Sequence, residues 1–249
     1  MRGEQESNCL TRVKQQLDID SVHYFCSDPQ RIIHILKSAK PNPAQSNFPD
    51  FLFENGFIEH FQITASKETR KGAEHRKRQA LFCKEVEQQL QRMGSALNDA
   101  FHTNSLTRET FEMEAPLYSY EMYAASFQKN WQHHIDSLQK YASCQDVGVF
   151  LIEYQGPLFE VLQCGRFAGF YHLYQDTQIL QYMAAYKNKL SYVIFTDGQN
   201  CEVIELKYIP ALLEQVPCDI QFEPGRWKER RVNLAIDITT DGCGQEAHT

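Results

Sequence analysis

The sequence lacks the features that would assign it to a membrane, secreted or zinc-ribbon class. No uninterrupted apolar run approaches the roughly 20 residues of a membrane helix, and Met1 to Ser7 contain no apolar signal region. The eight cysteines include no Cys-x-x-Cys pair, which excludes a zinc ribbon and does not fit a small disulfide scaffold. We therefore expect reduced thiols in a soluble, cytoplasmic protein without a membrane partner.

An excess of positive charge is also missing. Lys and Arg number 25 against 32 Asp and Glu, so the formal net charge is −7. This balance excludes a general nucleic-acid coat protein, although a local basic patch can still bind phosphate. The 249 residues also contain no internal repeat and no low-complexity tract, and they are enough for an elaborated enzyme domain.

Hydrophobic periodicity predicts alternating helices and strands. Helices are predicted within 9–40 (two), at 67–93, 120–141, 177–189 and 210–213. A hairpin is predicted at 49–64, and buried strands at 148–155, 191–196 and 201–206. This order predicts an α/β fold whose mixed central sheet, an antiparallel hairpin plus crossover-linked strands, is flanked by helices on both faces. We expect one α/β domain over residues 1–238, with a helical insertion at about 66–145 and a disordered tail at 239–249.

The hairpin at 49–64 carries acids on strands that otherwise have buried character. Asn55-Gly56 is typical of a type I′ turn, and a two-residue turn there makes Asp50 and Glu59 diagonal neighbours on one face. Their Cβ atoms would lie about 7–8 Å apart. Two carboxylates about 6 Å apart repel by about 3 kcal/mol at an effective dielectric constant near 20. The arrangement therefore favours a shared proton, a basic neighbour or a divalent cation.

Pro49-Asp50, followed after a short strand and turn by Phe57-Ile58-Glu59, resembles the signature of the PD-(D/E)xK nuclease superfamily, the restriction-endonuclease-like fold. The resemblance covers residues 15–206 in element order, through a handful of positions. It implies a metal-dependent nuclease that hydrolyses DNA or RNA, with Asp50 and Glu59 as ligands of Mg²⁺ or Mn²⁺. In that superfamily a Lys two residues after the second acid positions or activates the attacking water. This chain has Phe61 at that place.

A phenyl ring cannot orient a hydroxide, so another residue must fill the role of the missing Lys or the site is inactive. His60 and Gln62 are nearest in sequence, although the expected register points them to the opposite face and a one-residue slip would exchange the faces. Lys67 follows the strand and could fold back over the carboxylates. Glu153 and Gln155 form a Glu-x-Gln that resembles a Lys-less variant of the motif. They would complete the site if their strand lies beside the hairpin.

A basic run follows the hairpin. Its cations are expected to contact nucleic-acid phosphates, and they are Arg70, Lys71, Arg76, Lys77 and Arg78.

Each feature also has an ordinary interpretation. The basic charges are typical of a solvated helix face, Asp50 of a turn cap, and Glu153 with Gln155 of a polar exit from a buried strand. His133 and His134 are expected on the surface. The alternative function is an inactive nuclease-like fold that binds nucleic acid or a protein partner. A homodimer, or a defence or mobile-element effector activated by a partner, also fits the sequence.

Overall fold

The computed structural model describes residues 3–17, 22–44, 48–69, 72–99, 106–113, 118–141, 146–225 and 230–237. The chain divides into two compact units. The first contains Met1–Glu68 and Tyr118–Gly225, and the second contains Thr69–Leu117 and Arg226–Thr249. The predicted disordered tail at 239–249 lies outside the described residues.

Side-chain caps mark the starts of three helices in the first unit. In chain order the helices are α1 Glu4–Leu17, α2 Pro29–Ser38, α3 Glu74–Asp99, α4 Tyr120–Lys140, α5 Thr177–Ala184 and α6 Ile209–Leu213. Asp28, Ser119 and Asp176 accept backbone N–H groups from the first turns of α2, α4 and α5, at 3.1, 3.2 and 3.0 Å. Each cap satisfies one N–H that a helix start leaves without an intrahelical partner.

The strands of the first unit form one large mixed sheet and one small sheet. In chain order the strands of both units are β1 Val22–Phe25, β2 Lys40–Pro41, β3 Phe51–Phe53, β4 Gly56–Ile63, β5 Glu68–Thr69, β6 Gly72–Ala73, β7 Leu106–Met113, β8 Val147–Tyr154, β9 Phe159–Gln163, β10 Arg166–Phe170, β11 Tyr192–Thr196, β12 Cys201–Glu205, β13 Ile220–Pro224 and β14 Arg230–Asp237. The large sheet has the order β1-β12-β11-β8-β4-β3-β2, and the small sheet has the order β10-β9-β13. Strands β4, β8 and β11 are parallel, whereas β3 and β12 run antiparallel to their neighbours β4 and β11.

Both faces of the large sheet are buried along its central strands. Every residue of β8 is buried, as expected for a continuous apolar run in an interior strand. On one face, Phe61 and Phe150 pack in a cluster with Trp131 of α4, and we call this the α4 face. On the other, Ile58 and Leu151 pack with residues of α1 and α2, and we call this the α1 face. The predicted α/β fold, with a mixed sheet flanked by helices, is confirmed.

The second unit contains α3 and an antiparallel pair of strands. Strand β7 pairs with β14 along its full length, with Leu106 opposite Asp237 and Met113 opposite Arg230. The chain leaves the first unit and returns to it at neighbouring points. Ser66 and Tyr118 form an antiparallel bridge there, and the Ser119 N–H donates to the Ala65 carbonyl at 3.2 Å.

The sequence prediction missed several elements. The long helix was predicted at 67–93 but α3 begins at Glu74 and continues to Asp99. Strand β1 and the β9–β10 hairpin were not predicted. That hairpin turns at Cys164-Gly165 with φ values of 49° and 71°. Positive φ at both residues is the type I′ conformation, for which the usual sequence signal is Asn-Gly or Asp-Gly, so Cys at the first position concealed it.

The β3–β4 hairpin is paired differently from the prediction. Phe53 lies opposite Gly56, so the turn residues are Glu54 and Asn55 rather than Asn55 and Gly56. Among the described residues, positive φ values occur at other positions and not at Gly56. A Cβ on Gly56 would overlap the Val147 carbonyl oxygen and the Phe53 ring. Glycine is therefore required there because the start of β8 approaches the strand closely.

We expect Gly56→Ala to lower the free energy of unfolding by about 2 kcal/mol, because the added methyl group forces β8 and the Phe53 ring to move. Urea unfolding of both proteins measures the change. Gly56→Asn separates the two explanations for this glycine. An asparagine variant as stable as the parent would indicate a turn conformation, since Asn tolerates positive φ, and would contradict the packing explanation.

Candidate functional site

Two carboxylates accept hydrogen bonds from backbone N–H groups at the end of the β3–β4 hairpin that lies away from its turn. The Asp50 N–H donates to Glu59 Oε2 at 3.1 Å, and the His60 N–H donates to Asp50 Oδ2 at 2.8 Å. The register differs from the prediction by two residues, which preserves the alternation of side chains. Extending the Phe51–Ile58 pairing places Asp50 directly opposite Glu59 on the α4 face rather than diagonal to it.

His134 of α4 completes this group. Its Nδ1 lies 2.7 Å from Glu59 Oε1, and its ring stacks on Phe61 with 4.6 Å between ring centroids. The side chain is only 17% exposed, so the expectation of a surface histidine was wrong. Its spacing from Trp131 and Leu138, three and four residues away, is helical and places it on the apolar side of α4. That spacing was the signal that the sequence prediction missed.

Burial raises the pKa of both acids in this group. Burial and then the Glu59 charge raise the pKa of Asp50 to about 6, and burial raises the pKa of Glu59 to about 7. Burial lowers the pKa of His134 to about 4, so its imidazole is neutral at pH 7. Among the described residues, no Lys or Arg forms an ion pair with either carboxylate. In the described part of the chain, the pair therefore has no Lys or Arg as a counter-charge.

A second polar group lies on the α1 face, around Glu153 of β8. The Glu153 carboxylate accepts hydrogen bonds from Arg12 of α1, from Gln62 Nε2 at 2.6 Å and from His60 Nε2 at 3.3 Å. Burial acts to raise the pKa of Glu153, but the hydrogen bonds from His60, Gln62 and Arg12 outweigh it and lower the pKa to about 2. Glu153 is therefore an ionised carboxylate held by three donors.

The structure divides the sequence-predicted site residues between the two faces. Strand β8 does lie beside β4, with Gln62 opposite Glu153, as the prediction required. However, Glu59 and His60 are adjacent in β4 and so point to opposite faces. Glu153 therefore joins His60 and Gln62, and the sheet separates it from the Asp50 and Glu59 carboxylates.

The remaining sequence-predicted site residues are Gln155, Lys67 and the cations of the basic run. Gln155 follows β8, half-buried, and its N–H donates to the Ile63 carbonyl at 2.9 Å. Lys67 is exposed beyond the end of β4. Lys77 and Arg78 are exposed on α3 in the second unit. Two of the proposed phosphate contacts, Arg70 and Lys71, and the side chain of a third, Arg76, lie outside the described residues.

Comparison of the chain with models of protein families, with curated proteins and with solved structures finds no match. None of the helices that the structure describes has the length and apolar character needed to cross a bilayer. The function of this chain is therefore inferred from its own geometry and chemistry.

Proposed function

We propose that the protein is a divalent-cation-dependent phosphodiesterase that acts on DNA or RNA, with the restriction-endonuclease-like fold. The observation that carries the proposal is the pair Asp50 and Glu59. These carboxylates converge at the end of a hairpin, have raised pKa values and lack a Lys or Arg partner among the described residues. Strongly perturbed titratable groups of this kind are typical of functional sites.

The donor atoms of this group fit Mg²⁺ or Mn²⁺. Carboxylate oxygens are the ligands that both ions prefer, and a divalent cation supplies the missing positive charge. Asp50 and Glu59 would hold the ion. When bound, it supplies a Lewis acid for the phosphoryl oxygen and a water of lowered pKa.

His134 is the residue that we propose in place of the missing Lys. It reaches the α4 face directly above Phe61, which occupies the motif position where a Lys is expected. With the imidazole neutral, donation from Nδ1 to an ionised Glu59 fixes the orientation of that carboxylate. The stack on Phe61 holds the ring in place, so Phe61 has a positioning role rather than a chemical one.

The nucleic-acid substrate is proposed from charge. Cationic side chains bind the phosphates of a nucleic acid, and Lys77 and Arg78 are exposed on α3. Their contacts with phosphate would make binding weaken as salt increases.

The test is incubation of the purified protein with labelled single- and double-stranded DNA and RNA, with Mn²⁺, Mg²⁺ or EDTA. We expect cleavage with Mn²⁺ or Mg²⁺ and none with EDTA. Asp50→Asn and Glu59→Gln should each reduce the rate by at least about 100-fold, because each removes one anionic ligand. Glu54→Gln, at an exposed turn residue of the same hairpin, is the matched control and should keep the parent rate.

Metal-independent cleavage, or cleavage that survives both Asp50→Asn and Glu59→Gln, would overturn the proposal. Salt-dependent binding without turnover in any metal would favour the second candidate, a nucleic-acid-binding module of the same fold. The presence of Phe61 in place of Lys is the observation that supports this second candidate.

A further inference from the structure

Three different metal-ligating side chains meet beneath α1, on the face of the sheet opposite to Asp50 and Glu59. They are Cys9 of α1, His60 of β4 and Glu153 of β8. One ligand atom from each lies within 4.8 Å of the other two, and all three residues are buried. Among the described residues this is the one group of three such side chains that could hold a metal ion.

The spacing of these atoms is close to what a tetrahedral ion requires. Zinc binds thiolate sulfur at about 2.3 Å and imidazole nitrogen at about 2.0 Å, so ligand atoms around it lie about 3.3–3.5 Å apart. The separations, which are at most 4.8 Å, therefore leave up to about 1.5 Å of closure for side-chain rotation when the metal binds. The donor set also selects among metals. A thiolate with an imidazole favours Zn²⁺, and disfavours Mg²⁺, which prefers oxygen ligands.

We propose that Cys9, His60 and Glu153 form a buried site for a thiophilic divalent cation such as Zn²⁺, and that Arg12 provides the compensating charge when the metal is absent. The site lies on a different face of the sheet from the phosphodiesterase site and does not depend on that function.

Arg12 lies where it can pair with Glu153 when the metal is absent and move away when the metal binds. Its guanidinium pairs with Glu153 Oε1, so it neutralises the carboxylate that the metal would bind. The Arg12 side chain is 50% exposed, whereas that of Glu153 is 5% exposed. Arg12 can therefore turn out into solvent at little cost, and its path marks a route by which an ion enters. Gln62 Nε2 donates to Glu153 Oε2 at 2.6 Å and so orients this carboxylate, and a water would supply the fourth ligand.

A purely structural network predicts a different response to mutation. If the group only stabilises the fold, removing Arg12 weakens the network and creates no affinity for metal. If Arg12 competes with a metal, removing its charge must tighten metal binding, since a like charge then no longer occupies the site.

The experiment is titration of the reduced, metal-free protein with Co²⁺, followed by absorbance and calorimetry. Co²⁺ reports a cysteine ligand through a thiolate-to-metal charge-transfer band in the near ultraviolet. We expect one Co²⁺ per chain with this band, displaced by Zn²⁺. Cys9→Ser should abolish the band. Cys201→Ser, the matched change at a buried cysteine outside the triad, should keep it. Arg12→Met should tighten Co²⁺ binding by at least 10-fold.

A band that persists in Cys9→Ser, or an unchanged affinity in Arg12→Met, would overturn the proposal, as would the absence of stoichiometric Co²⁺ binding in the parent. Because Arg12→Met is expected to gain affinity, a loss of folding in Cys9→Ser cannot imitate the expected result. Glu59→Gln separates this site from the phosphodiesterase site, since it should reduce nucleic-acid cleavage and leave the cobalt band intact.

Discussion

Glu153→Ala is expected to lower the free energy of unfolding by about 3–5 kcal/mol in metal-free buffer, a large part of the stability of a typical domain. The carboxylate is almost fully buried and accepts hydrogen bonds from Arg12, His60 and Gln62. Alanine removes that shared acceptor and leaves the polar groups of His60 and Gln62 facing the space where it stood. The desolvation of these groups then has no compensation from Glu153.

Arg12→Ala should cost much less, about 1 kcal/mol. The Arg12 side chain is half exposed, and Glu153 keeps two other donors when it is removed. Urea unfolding of both variants, of the double variant and of the exposed control Glu223→Ala measures this asymmetry and the coupling energy between the two residues. Equal losses for Glu153→Ala and Arg12→Ala would show that the carboxylate is not the centre of the network.

Glu59→Gln is expected to become more stable relative to the parent as pH rises, by about 3 kcal/mol between pH 4.5 and 7.5. The pKa of Glu59 is raised from 4.5 to about 7 in the folded protein. Below pH 4.5 the carboxyl is protonated in both states and has no effect. Between 4.5 and 7 the unfolded chain releases a proton that the folded protein retains, so the parent loses stability as pH rises. The glutamine variant has no such proton.

The comparison of two proteins is essential because other groups titrate in the same range. Asp50, with its pKa raised to about 6, acts in the same direction as Glu59, whereas His134, with its pKa lowered to about 4, acts in the opposite direction. His60 and Glu6 of α1 also contribute charge to the Glu59 site. These effects cancel in the difference between the variant and the parent to the extent that they are independent of Glu59.

The measurement is urea unfolding of both proteins in EDTA from pH 4.5 to 8. Glutamine keeps the local contacts, since its amide oxygen can accept from the Asp50 N–H and its amide nitrogen can donate to His134 Nδ1. A stability difference that does not change with pH would mean that Glu59 titrates normally and that the carboxylate pair has a compensating charge.

The interior strands β8 and β11 could be predicted from sequence because each is dominated by an apolar run and is buried at every residue. Strand β12 is also buried at every residue but contains Glu202 and Glu205. The β9–β10 hairpin was missed because its partly exposed strands lack this signal and its turn begins with a cysteine. Local propensity carries little information about such short, partly exposed strands.

The candidate site was predictable only where alternation along a strand defines it. Asp50 and Glu59 share a face in both the predicted and the observed register, because a shift of two residues preserves the face on which a side chain lies. The partners of Glu153 were less accessible to sequence reasoning. Arg12 lies 141 residues away in the chain, and only the packing of α1 on the sheet brings the two together.

The bridge between Ser66 and Tyr118 makes the segment between these two residues a suitable target for engineering. The two backbones lie about 5 Å apart there, as in any antiparallel bridge, so a link of a few residues would close the first unit without residues 67–117. An insertion whose two ends lie side by side can be lengthened, shortened or exchanged with little effect on the domain that contains it. The two polar groups lie on opposite faces of β4 in the first unit, and they would remain if residues 67–117 were replaced.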